Sequence, residues 1–155
     1  MIRAYRICQE RHADTAFDGE GARLHGGRWN HKGTPMIYLA GSVALAQLEM
    51  LVHLDSDSVL MGRYVVIAVD IPEDVIVDAG PAAVPENWDS RTGRQHTADT
   101  GDCWFRAKQS AVLKVPSAVV PIEFNFIANP LHPDFHRLLL GQPMSLRFDS
   151  RLAKP

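Results

Sequence analysis

The run Tyr64-Val65-Val66-Ile67-Ala68-Val69-Asp70-Ile71 constrains this chain more than any other stretch. It is rich in β-branched residues and almost unbroken by polar ones. A strand of that kind is covered on both faces, so it belongs in the middle of a sheet. Other strand-like segments gather around it in sequence. Ile2 to Ile7 alternates and predicts a first strand, and Pro35 to Ala40 a short buried one. Val75 to Asp78, Val112 to Val115, Ala118 to Val120, Glu123 to Ile127 and Leu146 to Phe148 predict further short strands.

Helical signals are fewer. Gly41-Ser42 opens a helix from about Ser42 to Leu54, with Ser42 as N-cap. Apolar residues occur on nearly every side of it, which predicts a helix largely inside the domain. Trp104 to Ser110 predicts a second helix, and Asp134 to Leu140 a short one after the turns at Asn129-Pro130 and His132-Pro133. Asp14 to Gly33 reads as a long loop, and Pro81 to Asp102 as a loop holding a short helix. Clustered strands with few helices favour an α+β fold over a doubly wound parallel sheet.

The 155 residues fit one domain, 1–155, and a hydrophobic content of 46% allows a sizeable core. The net charge is −2, with acids and bases interspersed, which argues against a dedicated nucleic-acid binder. Cys8 and Cys103 make neither a disulfide framework nor a metal-type pair. The N-terminal residues lack an apolar run of signal-peptide length, and no stretch reaches the roughly 20 apolar residues of a membrane helix. A soluble, cytoplasmic protein is the expectation.

Several residues are candidates for chemistry. Glu49 lies in the apolar helix, where an unpaired carboxylate is costly. His53 lies one turn further on. The ordinary account is a Glu–His pair on a wet strip; the functional one is a carboxylate at a cleft wall, placed to stabilise positive charge. Arg28 follows Gly26-Gly27 and precedes Trp29-Asn30. The glycines permit close backbone approach, the guanidinium suits a phosphate, and Trp29 offers a stacking surface. The alternative is a surface turn with a solvated arginine. Tyr38 precedes the helix and is either a core tyrosine or part of the same cleft. Ser117 has no nucleophile-elbow context, so it is a positioning hydroxyl or a strand-end serine. The seven histidines show no metal-binding spacing.

Five ordered segments together resemble the RES domain, a family named for recurrent Arg, Glu and Ser residues. They are Gly26-Gly27-Arg28-Trp29-Asn30, Met36 to Ala40, Ser42 to His53, Leu113 to Pro121 and Asn125 to Pro133. The resemblance implies an ADP-ribosyltransferase-like mixed β-sheet with a few flanking helices. It also implies the toxin of a bacterial type II toxin–antitoxin pair, acting on NAD+ as substrate with no cofactor required. Its activity would be NAD+ breakdown by hydrolysis or phosphorolysis, or ADP-ribosylation of a protein. The partner would be a helix-turn-helix antitoxin that blocks the active site. By position, Glu49 would be the catalytic carboxylate, Arg28 the contact to the NAD+ phosphates and Tyr38 the residue against nicotinamide or its ribose. Ser117 would shape the pocket, with His53 and Asn129 as further substrate-binding candidates. Gln47, two residues before Glu49, hints at transfer to a protein. A non-enzymatic binding module is the reading from another class, disfavoured because Arg28 and Glu49 are both present.

Overall fold

A computed structural model describes residues 1–53, 62–88 and 90–152. Its strands are β1 (Ile2–Gln9), β2 (Ile37–Ala40), β3 (Tyr64–Ile71), β4 (Ile76–Asp78), β5 (Val112–Pro116), β6 (Phe124–Ala128), β7 (Leu139–Leu140) and β8 (Met144–Leu146). Its α-helices are α1 (Glu20–His25), α2 (Val43–Leu51) and α3 (Arg91–Ala107). The strand order is β4-β5-β6-β2-β1-β3-β7, with β8 also pairing β3. The pairing of β4 with β5 is parallel; the others are antiparallel.

β3 is internal, as its composition predicts, with β1 on one side and β7 and β8 on the other. Val65, Val66, Ile67, Val69 and Ile71 are all buried, and full burial of each such side chain contributes about 1.5–3 kcal/mol. Eight residue pairs join β3 to β1, from Ile2↔Ile71 to Gln9↔Tyr64. By contrast, β1 meets β2 at Tyr5↔Ala40 alone. The sheet therefore splays between these two strands. Arg6 bridges the splay: its Nη1 donates to the Tyr38 carbonyl at 3.1 Å, and burial lowers the pKa of this guanidinium.

Register sorts the side chains into two faces. One carries Ala4, Ile37, Leu39, Val69, Val112, Phe126 and Ala128, which pack together as the larger core. The other carries Tyr38, Leu113, Val115 and Ile127, covered by Trp29 and by Trp104 of α3. α2 packs beside them, with Leu45 and Ala46 against Ala40, Ile7 and Val120.

Several expectations need correction. Between Asp14 and Gly33 the chain is not one loop but ends a 3-10 turn (Glu10–Thr15) and contains α1. Within Pro81 to Asp102 lies most of α3, a 17-residue helix that also absorbs the predicted helix starting at Trp104. Its threonines, glycines and charges weaken the helical signal in sequence, but packing against the sheet holds it. Ala118 to Val120 is a bend, its backbone turned by Ser117 Oγ, which accepts from Val119 N and Val120 N at 3.1 and 3.0 Å. The segment after Pro133 is a 3-10 turn followed by β7. α2 is capped by Ser42 as predicted, Oγ accepting from Leu45 N at 3.1 Å. It is not inside the domain, however: Leu48 and Val52 are exposed. One side of a nine-residue helix suffices to cover Ala40 and Ile7, so its other apolar side faces out. The predicted helix end, Leu54, lies outside the described residues.

Candidate active site

Glu49 stands one turn beyond Leu45 on the side of α2 that faces the sheet. Two side chains hold the same carboxylate oxygen. Ser117 Oγ donates to Oε1 at 2.7 Å and Asn125 Nδ2 donates to it at 2.6 Å. A carboxylate accepts only, which fixes the Asn125 amide with its NH2 toward Glu49. Its Oδ1 is left buried without a partner among the described residues. Ser117 is itself fully buried. Its hydroxyl is therefore a positioned donor, not a nucleophile.

The register places Tyr38 beside this group. Tyr38 pairs with Ile127 and Ala40 with Asn125, so Tyr38 and Asn125 share a face as diagonal neighbours, with Cα atoms about 7–8 Å apart. The Tyr38 hydroxyl is already engaged: it donates to Asn30 Oδ1 at 2.7 Å and accepts from Trp29 N at 3.0 Å. Burial pushes its pKa well above the ordinary tyrosine value. Tyr38 thus ties the Arg28 loop to the sheet floor and offers a ring, not a free hydroxyl.

That loop is built on Asn30, which sequence reasoning did not single out. Asn30 is buried, and its Nδ2 faces the carbonyls of Ala22, His31 and Thr34 at 2.9–3.1 Å. Gly26 has φ 71° and ends α1. A Cβ on Gly27 would lie 2.5 Å from the Tyr38 hydroxyl oxygen. The close approach that glycine permits is therefore to Tyr38. Arg28 Nη1 donates to the Trp88 carbonyl at 3.1 Å, and its Cζ lies 5.7 Å from the Trp88 ring centroid. The stacking surface expected at Trp29 is supplied by Trp88 instead. Trp29 is a core residue, sealed by α3, where a methyl on Gly101 would collide with the Trp29 carbonyl oxygen. A cavity of about 540 Å³ opens between Trp88 and Pro116 and Phe124 at the ends of β5 and β6.

Two candidates fall elsewhere. His53 is exposed and lies past the end of α2, its backbone N–H donating to Met50 O at 3.0 Å. Among the described residues no bond joins it to Glu49, because the helix ends at Leu51 before completing the turn that would align them. Asn129 is buried in a turn: Oδ1 accepts from Leu131 N and its N–H donates to Ala111 O, both at 2.9 Å. It sits about 13 Å along the strand direction from Asn125, at the other end of β6. Among the described residues, no three His, Cys, Asp or Glu side chains gather as a metal ion would require. No helix there is long and apolar enough to cross a membrane.

The fold is α+β, a mixed sheet with a few flanking helices. A chain in the crystal structure of the M. tuberculosis MbcT–MbcA toxin–antitoxin complex superposes with a TM-score of 0.77 at 21% identity, covering 94% of this chain and 84% of that one. The family described as RES domain matches residues 3–149, and the chain belongs to it. It is 42% identical over 149 residues to a protein of Yersinia enterocolitica called Toxin Res, covering 96% of this chain and 97% of that one. A Toxin Res of Photorhabdus laumondii is 38% identical over 151 residues, covering 97% and 96%. The Prs ADP-ribosylating toxin of a Sphingobium species is 34% identical over 155 residues, again covering 97% and 96%.

Proposed function

We propose that this protein is the toxin of a bacterial toxin–antitoxin pair, that it acts in the cytoplasm, and that it cleaves the nicotinamide–ribose bond of NAD+. The observation that carries the reading is the grip of Ser117 and Asn125 on one oxygen of Glu49. Both donors occupy Oε1, so Oε2 is the oxygen left to face a ligand. As the C1–N bond breaks, its electron pair leaves with neutral nicotinamide and the ribose gains oxocarbenium character. A fixed carboxylate beside it stabilises that charge, an effect of about 2.7–4 kcal/mol for one well-placed group. Arg28 binds the pyrophosphate by charge-assisted bonds, exchanging its contact with the Trp88 carbonyl for them. Tyr38 and Asn30 keep the Arg28 loop in register with the sheet. Water then adds its oxygen to C1 and releases one proton, or phosphate adds to give the 1″-phosphate. NAD+ is substrate, and no further cofactor is required.

The relatives called Toxin Res and the structural neighbour found with an antitoxin support the toxin reading. The partner would be an antitoxin of the helix-turn-helix type that covers the site. The second reading is mono-ADP-ribosylation of a protein. Gln47, half-buried two residues before Glu49, and the name of the Sphingobium relative favour it.

The test is incubation of the purified chain with NAD+, with and without phosphate, and product identification by mass spectrometry. Nicotinamide release that disappears in folded Glu49→Gln supports the reading. ADP-ribose or its 1″-phosphate then identifies the acceptor. Undiminished release by Glu49→Gln removes Glu49 from the chemistry. No release by the folded wild type, together with label transfer to a cell-extract protein, favours the transferase.

A further inference from the structure

The Arg28 loop has a second side. There, Gly26, Gly27 and Asn30 form one wall of an open cavity of about 490 Å³, and the first turns of α3 form the other. Lys32, Arg91 and Arg94 converge on it, flanked by His25 and His31, and no acidic side chain lines it. The nearby acids are engaged with His31: Asp99 Oδ1 lies 2.7 Å from its Nε2, and Asp102 Oδ1 accepts from its backbone N–H at 3.3 Å. Among the described residues, Lys32, Arg91 and Arg94 have neither an ion pair nor a side-chain hydrogen bond. Four of the other surface arginines are neutralised by a neighbour. Arg3, Arg23, Arg137 and Arg151 each face a carboxylate.

Three unpaired cations converging on one cavity repel each other, in a chain whose net charge is −2. The positive end of α3, capped by Ser90, adds to the same field. An anion entering the cavity would relieve the repulsion. A carboxylate carries one charge and is satisfied by one guanidinium. A phosphate dianion matches two guanidinium forks and an ammonium, each donating to its own oxygen. The volume lies in the range of small-molecule sites.

We propose that this cavity binds a phosphate group, free or carried by a nucleotide, through Arg91, Arg94 and Lys32. The site is separate from the Arg28–Trp88 contact, yet it shares a wall with the candidate active site through Gly27 and Asn30. Asn30 bonds the Tyr38 hydroxyl directly. Phosphate binding can be measured without turnover, so the inference stands or falls independently of NAD+ cleavage.

Titration calorimetry of the full chain with inorganic phosphate, AMP and acetate tests it. The variants are Arg91→Gln/Arg94→Gln, Lys32→Gln and Glu49→Gln. Arg91, Arg94 and Lys32 are exposed, so thermal melts should match the wild type; if the double variant melts early, Lys32→Gln carries the test. The expected result is phosphate or AMP binding that weakens about tenfold per guanidinium removed, stays unchanged in Glu49→Gln, and exceeds acetate binding about tenfold or more. AMP tighter than inorganic phosphate would identify a nucleotide phosphate as the ligand; the reverse would identify the free ion. Absence of binding at concentrations on the order of 10 mM, equal binding of acetate, or full binding by the cavity variants would overturn the proposal.

Discussion

Ser117 and Asn125 both hold Glu49 Oε1, yet their removal should affect the protein in opposite proportions. Ser117→Ala deletes a bond to a charged group at 2.7 Å, worth about 1.5–3 kcal/mol. It also leaves Val119 N and Val120 N without their acceptor, a further cost of about 1 kcal/mol because both residues are half-buried. The expected loss is about 2.5–4 kcal/mol. Asn125→Ala deletes the 2.6 Å bond, again about 1.5–3 kcal/mol. But it also removes the buried Oδ1 that has no partner, and leaving such an atom unsatisfied costs about 1–3 kcal/mol. The two contributions nearly cancel, so Asn125→Ala should cost about 1 kcal/mol or less. Urea denaturation of both variants, with unchanged slopes, gives the two values. A double-mutant cycle of Ser117→Ala with Glu49→Gln should show coupling of about 1 kcal/mol or more. Equal destabilisation by the two alanines, or no coupling in the cycle, would refute this account of how the carboxylate is held.

Three further outcomes are expected. Tyr38→Phe should lose about 1–3 kcal/mol by breaking the bonds to Asn30 and Trp29. Because burial raises the Tyr38 pKa above its ordinary 10.0, the folded state holds this proton longer than the unfolded chain. That stability is fully present below about pH 10 and lost as pH rises further; alkaline denaturation should therefore be less steep in Tyr38→Phe. Gly101→Ala should destabilise by about 1–3 kcal/mol despite the better helix propensity of alanine, because the new methyl meets the Trp29 carbonyl; a raised melting temperature would contradict this. Arg28→Ala should weaken NAD+ binding about tenfold or more, and an unchanged affinity by calorimetry would remove that role.

The strand core was legible in the chain. Eight consecutive residues, Tyr64 to Ile71, carry a pattern that suits few environments other than the middle of a sheet, and the strand forms over those same residues. The Ser42 cap was legible for the same reason: a local hydroxyl and a local N–H decide it. The α+β class followed from the order of such local signals, and residue order also sufficed for the family. α3 was hidden because its glycines look like loop signals. Gly101 is there to admit the backbone of Trp29, a long-range need that no local window contains, and Gly93 admits the chain at Asn87 and Trp88 where it turns into the helix. The apolar surround of α2 suggested burial, but how much of a helix is covered depends on what packs against it. Tertiary structure alone decided the site. Asn125 lies 76 residues from Glu49 and Trp88 lies 60 from Arg28, and only the pairing of β2 with β6 and the packing of α3 bring them together. The spacing of Glu49 and His53 suggested a contact that the helix ends too early to make. Hydrophobic pattern and capping act over one or two turns and can be read directly from the chain. Hydrogen bonds between side chains distant in sequence depend on register and splay, which are properties of the assembled sheet.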